Sequence, residues 1–170
     1  MSATRCSPVI RDARPEELEA IGRLSVEAYR EFADAIGLEV WAGMERNLSR
    51  LGGDSSDAVT IVAEVEGRLV GTVEYLPPWG ARRGLVEVVP EGEAYVGRLG
   101  VDPDHRGKGI GRALTEECIR RARVDGARTI GLATREVMVS ARAMYESMGF
   151  RYVRTVERGG STYLSYVLDL

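Results

Sequence analysis

The residues best suited to chemistry lie together between Val101 and Leu114, where the sequence reads V-D-P-D-H-R-G-K-G-I-G-R-A-L. A strand runs out at Val101, glycines recur at 107, 109 and 111, and a helix-forming run begins at once. The first amides of a helix have no carbonyl partner, and the helix dipole makes them positive. Gly107, Gly109 and Gly111 remove the side chains that would keep a pyrophosphate from such amides. Arg106, Lys108 and Arg112 add full charges beside them. The segment is a candidate anion cradle, against the plainer reading of a Gly-rich turn with solvated basic side chains. Two other phosphate loops fail on spacing. A P-loop needs Gly-Lys-Ser or Gly-Lys-Thr after its spacer, whereas Lys108 is followed by Gly109. The dinucleotide fingerprint is G-x-G-x-x-G close behind a strand, with an acidic residue further on. Here the glycines follow G-x-G-x-G, and the next strand ends in Thr134 and Arg135.

The elements that must position this loop follow from periodicity. Residues 7–12 read as a first strand, and Pro15-Glu16-Glu17 opens a helix carrying Leu18, Ile21, Ser25 and Ala28 on one face. Trp41, Met44, Leu48 and Leu51 repeat at helical spacing before Gly52 and Gly53. Residues 58–65 and 69–76 form a hairpin around Glu66-Gly67, and a third strand covers 94–101. The Pro- and Gly-rich stretch 77–92 between them is a long loop near the site. Beyond the cradle come a helix over 109–124, a strand over 129–134, a helix over 140–148, and a final strand pair over 150–156 and 163–168. The order βααβββαβαββ predicts a single α/β (α+β) domain spanning 1–170. Its mixed, mostly antiparallel sheet of six or seven strands should be covered by helices on both faces.

Composition narrows the function. The chain has 170 residues, 44% apolar and 29% charged, which suits one soluble globular unit with its own core. Net charge is −3, so there is no global field for nucleic acid, and the basic residues between His105 and Arg123 point to a small anion. Glu116, Glu117 and Asp125 interrupt that basic run. No signal core or membrane-length apolar run is visible, so a cytoplasmic protein with neither membrane nor nucleic-acid partner is expected. Cys6 and Cys118 fit no metal or redox spacing, and Cys118 sits on an apolar helix stripe as a packing thiol.

At these residues a resemblance emerges. R-G-K-G-I-G at Arg106 to Gly111 resembles the R/Q-x-x-G-x-G/A pyrophosphate loop of the GNAT superfamily of N-acetyltransferases, preceded by R-L-x-V-x-P at Arg98 to Pro103. Downstream, A-x-x-x-Y-x-x-x-G-F at Ala141 to Phe150 is similar to a second segment of that family. The element order matches over nearly the whole chain. The resemblance implies the GNAT fold, acetyl-CoA as co-substrate and no metal. It also implies pantetheine contacts at Leu99, Gly100 and Val101, and pyrophosphate contacts at Arg106, Gly107, Lys108, Gly109, Ile110, Gly111 and Arg112. One departure is Met138, where the family often has an Asn that touches the coenzyme.

Aminolysis of a thioester needs a neutral amine, an oxyanion donor and a proton for the departing thiolate. The resemblance makes Tyr145 the general acid, since a phenol keeps its proton at neutral pH; packing against a glycine cap is the alternative role. The oxyanion donor would be a backbone N–H at Leu99 or Val101. Glu74 is the tentative general base, on a strand before the long loop, and Glu93 is second. The expected acceptor is a primary amine on a small molecule. The alternatives are a protein N-terminus or lysine, or a non-catalytic domain that senses acyl-CoA. Trp41, Tyr75 and Trp79 are possible acceptor-side aromatics, His105 is a turn residue without a role, and Leu85, Val86, Val88 and Val89 could serve a homodimer interface.

Overall fold

Alternation of apolar residues builds the central hairpin, β2 (Val59–Val65) and β3 (Arg68–Leu76). Its turn residues Glu66 and Gly67 both take positive φ, the geometry that matches strand twist in a two-residue connection. The structure is a computed structural model and describes residues 7–50, 57–80 and 90–170. The remaining strands are β1 (Val9–Asp12), β4 (Glu93–Val101), β5 (Thr129–Arg135), β6 (Arg151–Arg158) and β7 (Ser161–Asp169). The helices are α1 (Leu18–Tyr29), α2 (Ala33–Ile36), α3 (Leu38–Leu48), α4 (Ile110–Val124) and α5 (Val139–Ser147).

The strands form one seven-stranded sheet in the order β1-β2-β3-β4-β5-β7-β6. Every neighbouring pair is antiparallel except β4 and β5. Their parallel pairing follows from the α4 crossover, which returns the chain in the same direction. The mixed α/β sheet read from the sequence is therefore the one observed. The extra helix α2 is set off from α3 by Gly37, whose φ of 89° breaks the helical path. Leu51 to Gly53, expected to end the second helix, lie outside the described residues, as do Cys6 and the interface candidates Leu85, Val86, Val88 and Val89.

Side chains alternate between two faces of the sheet. On one face Val73, Tyr75, Val96, Ile130 and Leu132 pack with Ile110, Leu114 and Cys118 of α4 and with Tyr145 of α5. Burial there pushes the Cys118 thiol up to about 12, so it is inert packing. α4 comes so close to β3 that a Cβ at Gly71 would lie 2.9 Å from Ile110 Cγ2. On the other face Ile21 of α1 meets Val62, and α1 lies across β3 and β4. A Cβ at Gly100 would stand 3.1 Å from the Ala28 Cβ, so this glycine lets α1 approach the strand.

Two features of this fold open the site. The β4–β5 ladder stops at Val96 and Leu132 although both strands continue, so beyond that point the two strands part. On its other side β4 carries a bulge: Thr72 faces Gly100 but Glu74 faces Gly97, leaving β4 one residue in excess. Arg98 sits in the bulge with a φ of 50°, a strained setting for a residue with a side chain.

Candidate active site

The parting of β4 and β5 is the floor of a cleft of about 1090 Å³, bounded by the end of α1, by α3, by the start of α4 and by α5. That is slightly above the usual range for a site holding one small molecule. Of the residues expected to hold a coenzyme, Leu99, Gly100, Val101, Arg106, Gly107, Gly109, Ile110, Gly111 and Arg112 line the cleft. Lys108 does not; its Nζ donates to the Asp104 carbonyl at 3.1 Å.

The cradle is built by a sequence of local choices. The Asp102 side chain accepts from the Asp104 amide and starts a short turn over Pro103 to His105. Gly107 and Gly109 then take φ of 71° and 81°, left-handed conformations that bring the chain into α4. Neither glycine has an atom within 4 Å of where a Cβ would stand, so the space above them is open. The amides of Gly107, Lys108, Gly109, Ile110, Gly111 and Arg112 donate to no backbone carbonyl among the described residues. They lie at the end of a fifteen-residue helix where its dipole is positive.

The basic side chains contribute less to the cradle than their density suggested. Arg106 turns toward α1, donating to the Ala28 carbonyl at 2.6 Å and to Glu31. Arg112 donates to Ser147 Oγ at 2.6 Å and lies 3.7 Å from Glu116. Backbone amides are therefore the groups that this segment leaves open to an anion.

Tyr145 lines the cleft from α5 with 5% of its surface exposed, its ring edge-on to Phe150 at 5.7 Å. Its hydroxyl makes no hydrogen bond with a described residue. Burial raises its pKa above the ordinary phenol range, helped by nearby Tyr29. Tyr29, which the sequence reading missed, donates to the Leu99 carbonyl at 2.6 Å and pins the strand just past the bulge. Its own pKa is also raised, chiefly by burial.

Glu74 lies beside the bulge, its Oε2 3.4 Å from Arg98 Nε, and is itself not part of the cleft wall. Glu93 lies at the far end of β4, where its Oε2 accepts from Thr129 Oγ1 at 2.8 Å, away from the opening. Met138 lines the cleft and accepts a weak bond from Thr134 Oγ1 at 3.6 Å. His105 borders the cleft with Nδ1 3.6 Å from Asp102 Oδ1. Of the aromatics, Trp41 is buried between α1 and α3, Tyr75 donates to Asp125 on the α4 side, and Trp79 is 68% exposed. None of the three lines the cleft. Among the described residues no group of His, Cys, Asp and Glu could hold a metal ion, and no helix is long and apolar enough to cross a membrane.

Two further cleft residues escaped the sequence reading. Arg135, the last residue of β5, is 7% exposed and stacks on Tyr163 with its guanidinium carbon 4.6 Å from the ring centroid. It also donates to the Tyr163 hydroxyl at 2.7 Å. A strand-end arginine gives no sequence signal of burial; only its pairing with Tyr163 across β7 creates it.

Comparison with known proteins agrees with this geometry. The model of the acetyltransferase (GNAT) family matches residues 18–150. The chain is 36% identical over 96 residues to the N-acetylaspartate synthetase of Xenopus tropicalis, covering 56% of this chain and 32% of that protein. It thus spans about a third of the length of that curated relative. Two solved structures share the fold. A GNAT-family acetyltransferase from Staphylococcus aureus superposes with a TM-score of 0.73 at 16% identity, covering 96% of this chain and 99% of the other. The PaiA N-acetyltransferase of Thermoplasma acidophilum, solved in complex with coenzyme A, superposes with a TM-score of 0.70 at 18% identity, covering 94% and 98%. The chain belongs to the acetyltransferase (GNAT) family.

Proposed function

We propose that the chain is a single GNAT domain that transfers the acetyl group of acetyl-CoA to a primary amine on a small molecule. The observation that carries the reading is one alignment of features: the β4–β5 opening, the unpartnered amides of residues 107–112 at one end of it, and Tyr145 in its wall. Loop amides fit a pyrophosphate, and the open side of β4 at Leu99 to Val101 fits an extended amide-bearing arm. When bound, the coenzyme would supply an acyl thioester at the opening.

The chain's residues then divide the remaining work. The amine nitrogen forms a bond to the thioester carbon, and the carbonyl electrons move to oxygen. A backbone N–H at Leu99 or Val101 stabilises that charge. When the carbon–sulfur bond breaks, Tyr145 gives its phenolic proton to the sulfur; burial keeps that proton in place until then. The attacking nitrogen loses its surplus proton through water to Glu74, which lies next to the bulge. A small acceptor is the reading we favour over a peptide, with α1, α3 and the β6–β7 end supplying the cleft walls that would surround it.

Isothermal titration with acetyl-CoA, with NAD and ATP as controls, tests the base of this reading, and an amine screen by release of coenzyme thiol follows. Binding of acetyl-CoA alone supports it. No binding to a folded protein would reduce the cradle to a turn.

A further inference from the structure

The charge balance of the cleft differs between its two ends. At the α4 end each arginine has a partner: Arg106 meets Glu31, and Arg112 meets Glu116. At the opposite end Arg98 meets Glu74. Arg135 meets no carboxylate among the described residues. Among the described residues its guanidinium donates only to the Tyr163 hydroxyl. A cation more than nine-tenths buried without a counter-charge is costly and rare. The stack on Tyr163 and the bond to its hydroxyl offset part of that cost, but neither supplies a counter-charge.

The position of Arg135 says which ligand it faces. Side chains at Ile130 and Leu132 join the α4 face, whereas Ala133 packs with Tyr95 and Leu76 on the other. By strand alternation Arg135 falls on the Ala133 face, the face of α1. The pyrophosphate cradle belongs to α4, across the sheet. Arg135 is also three residues beyond Leu132, where the ladder ends. At about 3.3 Å per residue its Cα is roughly 10 Å past the opening, close enough for its side chain to reach back to a ligand whose amine lies there.

We infer that Arg135 is the acceptor's anchor: it binds a carboxylate carried close to the amine, so the acceptor class is amino acids rather than simple amines or protein N-termini. The guanidinium fork matches a carboxylate with two parallel hydrogen bonds. Tyr163 is a positioning residue that stacks under the guanidinium and spends one donor so that the fork faces the cleft. The first residue of a peptide has its α-carboxyl tied up as an amide and offers the arginine no α-carboxylate. The inference rests on the acetyl-transfer reading for its chemistry, but its binding step is separable.

The test uses the protein loaded with coenzyme A, titrated with L-aspartate, L-leucine, L-phenylalanine and L-lysine and with the α-carboxamide of each, followed by the same pairs in turnover with acetyl-CoA. A carboxamide makes its amine less basic and so more often neutral, which favours it chemically; a preference for the acid therefore reports recognition. At least one acid should bind about 100-fold tighter than its carboxamide. Arg135→Gln should abolish that difference while leaving acetyl-CoA affinity unchanged and the melting temperature equal or higher, since a buried unpaired charge is removed. Arg135→Lys should recover part of the preference, and Tyr163→Phe should raise KM for the acid with little change in kcat. Acids and carboxamides that bind alike, or no binding by any acid, would overturn the inference, as would an Arg135→Gln variant that loses stability or coenzyme affinity. If the variants fail to fold, the acid-to-carboxamide ratio of the unaltered protein decides alone. Acid-selective binding without turnover would leave the anchor standing and remove the transferase reading.

Discussion

Tyr145→Phe separates the chemistry of the cleft from its architecture. The substitution removes one oxygen and leaves the ring. That ring is 5% exposed and packs edge-on to Phe150 at 5.7 Å, contacts that phenylalanine keeps. The hydroxyl has no hydrogen-bond partner among the described residues, so nothing is orphaned by its loss. The stability change should stay within about 0.5 kcal/mol, or about 2 °C in melting temperature for a chain of this size. If the phenol protonates the leaving thiolate, its loss removes a general-acid contribution of at least roughly 100-fold. That is about 2.7 kcal/mol of barrier at 1.36 kcal/mol per decade. The assay is release of coenzyme thiol with an acceptor from the amine screen, alongside titration with acetyl-CoA. kcat should fall about 100-fold while acetyl-CoA affinity moves less than twofold. The pH profile gives a second readout: because burial raises the Tyr145 pKa, the proton stays on through the range where a free phenol ionises, and wild-type kcat should show no loss near pH 10 from this group. A variant that keeps its rate, or a wild-type rate that falls near pH 10 without loss of fold, would refute the proton-donor role.

Gly109→Trp should abolish acetyl-CoA binding by titration, because its indole projects into open space over the cradle; the residue's φ of 81° should cost about 1 to 2 kcal/mol of stability, seen as a lower melting point in a folded protein. Glu74→Gln should lower kcat about tenfold at pH 7 and progressively less as pH rises and hydroxide takes the nitrogen's surplus proton in its place; a loss independent of pH would assign Glu74 only to holding Arg98. Glu17 is lowered to about 2, first by its hydrogen bond from Arg11 and then by the Arg14 amide. A depressed carboxylate stabilises above its unfolded value and loses that effect as pH falls from about 4.5 to about 2, so Glu17→Gln should melt below wild type at pH 6, with the gap closing by pH 2 to 3.

The parts of this site that were legible in the sequence are those fixed by local backbone chemistry. Gly107 and Gly109 had to be glycines because both take positive φ, and a helix start behind them had to present free amides. Tyr145 was legible as part of a spaced segment ending in Gly149 and Phe150. The bulge was not, because it arises from the mismatch between Thr72–Glu74 on one strand and Gly97–Gly100 on the next, and no residue of either strand announces it. Arg106 was read as adding a full charge beside the cradle, and its side chain is held by Glu31 and the Ala28 carbonyl, 75 and 78 residues away. Sequence proximity put the charge at the cradle; tertiary contact spent it elsewhere.

The same reasoning explains why the acceptor side is harder to read than the coenzyme side. A pyrophosphate can be bound by backbone, and backbone geometry leaves a mark in glycine spacing. An acceptor is chosen by side chains whose meaning depends on which charges remain unpaired after folding. Arg98 and Arg135 are both strand residues at the opening, and by composition they are equivalent. Glu74 neutralises the first at 3.4 Å, while the second is left with a tyrosine. That difference is created by the register of β3 on β4 and of β7 on β5. Shifting either register by one residue would send the partner to the opposite face of the sheet. The pairing that separates these two arginines is therefore set at the level of strand register, and under the proposal made above the charge left on Arg135 is where acceptor choice would be read.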